Sequence, residues 1–189
     1  MDFKKTKESL EVLISEGLEL NLDDPNLKGT PDRLARMYNE LIYDIECPSL
    51  TVFPNEGFDE IVMLDNIPFT SMCSHHFLPF SGLAWFLYLP DAQLIGASKI
   101  ARLVQYYSNR PQLQENLSVQ VVNHFCKYIN PKGVMLVMRA VHGCMACRGV
   151  KTGMNAGMTT SVTRGCFRED AAIRMEALNL IQLSISDRR

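Results

Sequence analysis

Two short runs carry side chains that can hold a metal ion. In Cys73-Ser74-His75-His76 a thiol and an imidazole stand three positions apart. That is the local half of a zinc site, because Zn2+ accepts thiolate sulfur and imidazole nitrogen together. On an extended strand those two side chains would face opposite ways, so the spacing predicts a turn where a strand opens into a loop. In His142-Gly143-Cys144 the side chains are two apart; on a strand they share a face and enter one pocket. Cys144-Met145-Ala146-Cys147 adds a further thiol. Residue types and spacing leave two sites open: a closed structural zinc on Cys73, His76, Cys144 and Cys147, or a catalytic three-ligand site on Cys73, His76 and Cys144. Cys47, Cys126, Cys166 and His124 stand apart from these runs and read as ordinary core or surface residues.

The elements that must position these groups follow from periodicity. Glu60 to Phe69 and Gly82 to Leu89 are apolar and rich in β-formers, predicting an antiparallel pair with the first metal run between them. Ala97 to Tyr107 and Pro111 to Ile129 carry helical patterns, broken at Asn109-Arg110-Pro111 because proline disfavours helix in its predecessor. Gly133 to Val141 and Thr159 to Phe167 read as two more strands. Ala171 to Leu183 reads as a helix with Ile173, Ala177, Leu180 and Ile181 on one stripe. Upstream, Thr6 to Gly17 predicts a surface helix with Leu10, Leu13 and Ile14 inward, and Asn21 to Lys28 a loop. Thr30-Pro31 predicts a helix start with Thr30 as N-cap, the helix ending near Cys47-Pro48. The order is helices, then ββααββ, then a helix. With no internal repeat, low-complexity tract or linker, it reads as one α+β domain: a helical region over 1–48, a core over 60–170 and a C-terminal helix over 171–189.

A chain of 189 residues, 47% hydrophobic and 21% charged, can bury a core without staples. Nineteen basic against twenty-one acidic residues give a net charge of -2, so the chain as a whole attracts neither nucleic acid nor an anionic membrane. Any anion it binds must meet a local basic cluster. Met1-Asp2-Phe3-Lys4-Lys5 leads into a charged amphipathic stretch and no apolar run reaches spanning length, which predicts a cytoplasmic protein with reduced thiols.

Five blocks together resemble GTP cyclohydrolase I. They are Thr30-Pro31-Asp32-Arg33-Leu34-Ala35-Arg36-Met37-Tyr38, Ser71-Met72-Cys73-Ser74-His75-His76, Gly96-Ala97-Ser98-Lys99-Ile100-Ala101-Arg102, Arg110-Pro111-Gln112-Leu113-Gln114-Glu115, and His142-Gly143-Cys144-Met145-Ala146-Cys147-Arg148-Gly149. They stand in the family's order at compatible spacing. The resemblance implies the tunnelling fold, ββααββ subunits whose antiparallel sheets join side by side into a ring, as a homo-oligomer of two five-fold rings making a decamer. It also implies conversion of GTP and water to 7,8-dihydroneopterin triphosphate and formate, with active sites between subunits.

Carried over residue by residue, the resemblance implies zinc on Cys73, His76 and Cys144, the fourth position left to water whose pKa falls to about 7. Cys147 matches no family ligand. His75 and His142 match the proton donors and acceptors at the purine imidazole ring, and Ser98 the hydroxyl that moves protons while the ribose rearranges. For the triphosphate, Ser98-Lys99 opens a helix whose first amides favour an anion, Arg102 lies one turn on and Arg148 follows the metal cysteine closely, while Arg33 and Arg36 match basic residues donated by a neighbouring subunit. Glu115, after Gln114, matches the carboxylate that reads guanine; facing adenine, a buried carboxylate would be left unpaired. One departure lies beside the metal run, where Ser74 replaces the family's usual glutamate. Another is the segment Thr152 to Met158. A structural zinc protein, an enzyme of the same fold without zinc, and a relative that stops at ring opening are the rival readings.

Overall fold

Every residue of Val134-Met135-Leu136-Val137-Met138 is apolar, so this strand can be buried only between two layers. The computed structural model, which describes residues 1–42 and 45–186, provides both. In chain order the elements are α1 (Phe3–Val12), continued by a π turn over Leu13–Gly17, α2 (Thr30–Ile42), β1 (Val52–Pro54), β2 (Val62–Cys73), β3 (Pro79–Leu89), β4 (Gln93–Ile95) and α3 (Ala97–Ser108). There follow β5 (Pro111–Gln112), α4 (Gln114–Ile129), β6 (Gly133–His142), α5 (Gly143–Ala146), β7 (Met158–Gly165), α6 (Cys166–Glu169) and α7 (Ala171–Ser186).

Five strands form one sheet in the order β5-β2-β3-β6-β7, antiparallel except for β5, which runs parallel to the end of β2. This is the expected ββααββ order. On one face, Ile100, Leu103 and Val104 of α3 and Leu117, Val121 and Phe125 of α4 pack with Phe86, Tyr88, Leu136 and Met138. On the other, Ala177 and Ile181 of α7 and Phe167 of α6 cover Trp85, Leu87 and Met135, and the Trp85 indole donates to the Ser184 hydroxyl at 3.1 Å. Each large side chain so buried contributes about 1.5–3 kcal/mol, which is what holds both helical layers on the sheet. Gly165 allows the turn from β7 into α6: its φ is +56°, and a Cβ there would strike the Lys132 carbonyl. Among the described residues β7 has no partner on its outer edge, and β2 is paired on its outer side only at Met72 and Cys73.

The chain divides into two compact units, Met1–Ile45 and Glu46–Arg189. In the first, Leu10 and Ile14 are buried but Leu13 is exposed, and the helix ends in a π turn closed by the Leu18 amide on the Leu13 carbonyl. The second helix starts one residue early, because the Gly29 carbonyl already accepts from the Arg33 amide at 3.1 Å. The Thr30 hydroxyl accepts from the Arg33 guanidinium instead of capping the helix. α2 is helical through Ile42, and residues 45–50 are not, so the end near Cys47-Pro48 is corrected; Tyr43 and Asp44 lie outside the described residues, as do positions 187–189 of the helix expected over 171–189. Among the described residues no helix is long and apolar enough to cross a membrane.

Candidate metal centre and its surroundings

The site is built where three chain segments end together. β2 and β3 extend further toward the metal run than their apolar patterns predicted, so that Cys73 is the last residue of β2. The Cys73 amide donates to the Leu78 carbonyl at 2.9 Å, and its carbonyl accepts from the Phe77 amide at 2.9 Å, closing a tight turn over residues 74–77. Phe77 takes a φ of +51° to complete it. The expected turn is therefore present, and it carries His76 back toward Cys73.

The second segment corrects the helix expected from Pro111. Pro111 has no amide to donate and fixed φ, and the chain there is extended: Pro111 and Gln112 pair with Met72 and Cys73, and the Ser74 amide donates to the Gln112 carbonyl at 3.1 Å. Helix α4 starts only at Gln114. This short edge strand ties the start of α4 to the metal run.

The third segment is the end of β6. His142 lies opposite Phe80 of β3, and the two rings stack at 4.4 Å with 3° between their planes. The expectation that Cys144 shares a strand face with His142 is corrected, because the chain leaves the strand at Gly143 and enters α5. A Cβ at Gly143 would stand 2.8 Å from the Pro79 carbonyl, so only glycine lets α5 approach β3 this closely. The helical turn places the Cys144 sulfur 3.8 Å from that of Cys73.

Cys73, His76 and Cys144 thus each offer a ligand atom, all within 4.8 Å of one another, the only such group among the described residues. Cys73 is buried, Cys144 partly so and His76 exposed, a centre open on one side. Cys147 does not join them; its thiol donates to the Gly143 carbonyl at 2.9 Å. Two soft thiols with an imidazole fit a zinc-like ion, and a cation there would reverse the trend of the bare site. Without one, burial first and the Cys73 sulfur second push the Cys144 thiol up.

His142 is held from two sides. Beyond the Phe80 ring, its Nε2 lies 2.8 Å from Gln114 Oε1. The Gln114 side chain is buried, its amide nitrogen facing the Met138 and Met158 carbonyls and the Thr160 hydroxyl at 3.0, 3.2 and 3.1 Å. Burial pushes the His142 pKa below its ordinary 6.5, opposed by the carboxylate of Glu115 in the first turn of α4. His75 is exposed on the turn, its ring 6.3 Å from that of His76 at 81°.

The other expected residues stand on separate elements. Ser98, Lys99 and Arg102 occupy the first two turns of α3, which has Gly96 at its N-cap position and so no side-chain cap. Arg148 is exposed beyond α5. In the N-terminal unit, Arg33 donates to the Lys28 carbonyl and Thr30, and Arg36 pairs with Asp32 at 2.8 Å. Sequence reasoning missed Phe80, Thr160 and Ser118, the last bonded to Thr160 at 2.9 Å. Only the pairing register of β3 with β6 and the docking of α4 on β7 bring these three residues to the site.

The family model for GTP cyclohydrolase I matches residues 6–182. A GTP cyclohydrolase 1 of Caldanaerobacter subterraneus subsp. tengcongensis is 40% identical over 182 residues, covering 93% of this chain and 96% of that protein. A GTP cyclohydrolase 1 of Finegoldia magna is 40% identical over 184 residues, covering 94% and 99%. That of Pelotomaculum thermopropionicum is 42% identical over 174 residues, covering 90% and 92%.

Proposed function

The chain belongs to the GTP cyclohydrolase I family, and we propose that Cys73, His76 and Cys144 are the zinc ligands of its reaction. The enzyme is a hydrolase that converts GTP to 7,8-dihydroneopterin triphosphate in folate and pterin biosynthesis. What carries the zinc reading is the approach of two thiols and one imidazole to within 4.8 Å beside a firmly seated histidine. Two thiolates neutralise a divalent cation, and sulfur with imidazole suits zinc where magnesium and calcium want oxygen. Bound there, the ion supplies a Lewis acid that makes water a nucleophile near neutral pH. The bond from the Cys147 thiol to its own helical turn favours three ligands over four.

Carbon 8 of guanine is a poor electrophile, so ring opening also needs a proton delivered to the ring nitrogen. His142, kept neutral by burial, and His75, on the exposed turn, are the groups proposed to take and return it. Ser98 is proposed to move protons during the later rearrangement. Glu115 accepts from the guanine ring N–H and exocyclic amine. Gln114, its side chain buried, meets the substrate through its main-chain amide at the start of α4. Lys99, Arg102 and Arg148 face the triphosphate, Arg33 and Arg36 reaching it from a neighbouring subunit.

A ring assembly is supported by the open edges of β2 and β7, which can pair between subunits as sheet edges do. Two five-fold rings would give the mass of ten 21.4-kDa chains by light scattering. A cytoplasmic location agrees with thiols that must stay reduced to hold zinc.

The test is metal analysis of freshly purified protein with GTP turnover followed through formate and the fluorescence of the oxidised pterin. About one zinc per chain and equal formate and pterin are expected. Turnover by metal-free protein would reject the zinc reading.

A further inference from the structure

We propose that Gln114 is a positioning residue that holds His142 as its Nε2–H tautomer and so makes Nδ1 the atom that handles the proton. The inference rests on the reading of His142 as an acid–base group. An amide has one oxygen that only accepts and one nitrogen that only donates, and the two are told apart by their partners. Gln114 Nε2 faces two main-chain carbonyls, of Met138 at 3.0 Å and Met158 at 3.2 Å, which can only accept. The orientation of the amide is thereby determined, and Oε1 faces His142 Nε2 at 2.8 Å. An oxygen that accepts requires that the ring nitrogen carry the hydrogen.

Rotation of the amide is blocked on all sides. Gln114 is 1% exposed, so water cannot replace a lost partner. Turning the amide over would set its oxygen against the Met138 and Met158 carbonyls, acceptor facing acceptor. Thr160, bonded to both Gln114 and Ser118, closes the network, and Ser118 donates in turn to the Gln114 carbonyl at 2.8 Å or to Thr160 at 2.9 Å. The Phe80 ring, parallel to His142 at 4.4 Å, prevents the imidazole from swinging out of plane.

The proton accounting is closed. Neutral His142 keeps Nε2–H on Gln114 and accepts a proton at Nδ1. The imidazolium then holds both hydrogens while the Nε2–H bond to Oε1 strengthens, and the same Nδ1 proton is returned. Gln114 never exchanges a proton and touches no reacting atom. It acts through His142, as the carboxylate or carbonyl behind many active-site histidines does.

The experiment compares Gln114→Met, Gln114→Glu and His142→Ala with the double variant Gln114→Met/His142→Ala, each loaded with zinc. For Gln114→Met, of similar volume and unable to accept, kcat should fall about 10- to 100-fold with zinc content kept and KM within about twofold. Gln114→Glu keeps an oxygen that accepts from Nε2, so it should recover most of that loss. In the double variant the Gln114 change should cost nothing further. A raised KM at unchanged kcat would make the Gln114 side chain a substrate contact and overturn the proposal; so would an unchanged kcat. Wild-type turnover in His142→Ala would instead overturn the acid–base reading beneath it. Should Gln114→Met fail to fold, 15N spectra of histidine-labelled wild-type holoenzyme give the same answer. Only four histidines are present, and the His142 signal is the one missing from His142→Ala. A protonated Nε2 with a bare Nδ1 is expected; the reverse pattern would refute the assignment.

Discussion

The sulfur atoms of Cys73 and Cys144 lie 3.8 Å apart, although 71 positions separate the two residues in the chain. A disulfide needs the sulfurs to close to about 2.05 Å. We predict that protein stripped of metal by a chelator and treated with a mild oxidant loses two titratable thiols of its six. The zinc-loaded protein should lose none at the same dose, and neither should stripped Cys144→Ser.

Replacing a ligand and replacing its neighbour should give opposite results. Cys144→Ser is expected to lose zinc and more than about 100-fold in kcat, beyond the usual loss for an outer-shell change. Cys147→Ser gives up one bond to the Gly143 carbonyl and should keep both metal and turnover. Zinc analysis beside the GTP assay decides between three ligands and four.

Glu115 is exposed in the first turn of α4, so its replacement should leave folding intact. Glu115→Gln removes the charge proposed to accept from guanine. Hydrogen bonds to a charged group are worth about 1.5–3 kcal/mol, so kcat/KM for GTP should fall roughly 10- to 100-fold with an unchanged melting temperature. An unchanged kcat/KM would remove Glu115 from the site.

Phe80 is fully buried between Phe69 and His142. Truncation to alanine should cost about 3–5 kcal/mol in stability, measured by denaturant unfolding, because the packed layers can only partly close the hole. Phe80→Leu, nearer in volume, should fold well and still turn over more slowly, since a branched alkyl group cannot stack on the imidazole.

His124 supplies a pH dependence away from the metal. The Tyr107 hydroxyl lies 2.8 Å from its Nδ1, the Tyr128 ring stacks on it, and burial first and Lys127 second push its pKa below 6.5. The folded state then binds fewer protons than the unfolded chain between that lowered value and 6.5. Its contribution is therefore present above 6.5 and is lost as the pH falls through the lowered value. Stability measured by urea unfolding should drop from pH 7 to pH 5, and His124→Asn should flatten that slope.

The candidate metal ligands were legible in the sequence, because ligand type is a property of single residues and ligand spacing within a turn is local. Cys73, His76, His142 and Cys144 could be named without a fold, and the ββααββ order followed from apolar periods of two and 3.6. Where local patterns misled, a tertiary contact prevailed. Pro111 and Gln112 lie in a helical pattern, yet they pair with the end of β2 because proline's missing amide leaves them better placed at a sheet edge. Cys144 sits on a helical turn and not a strand, because Gly143 allows a close approach to Pro79.

What the sequence by itself determined is which side chains are candidates for metal ligation and for acid–base work. Which of them meet, and in what state, was decided by the tertiary structure. The register of β3 against β6 places Phe80 on His142, and the docking of α4 buries Gln114 between two carbonyls that orient its amide toward the ring. Those partners lie 24 to 62 positions apart, and a hydrogen bond acts over only about 3 Å, so no local pattern along the chain encodes them.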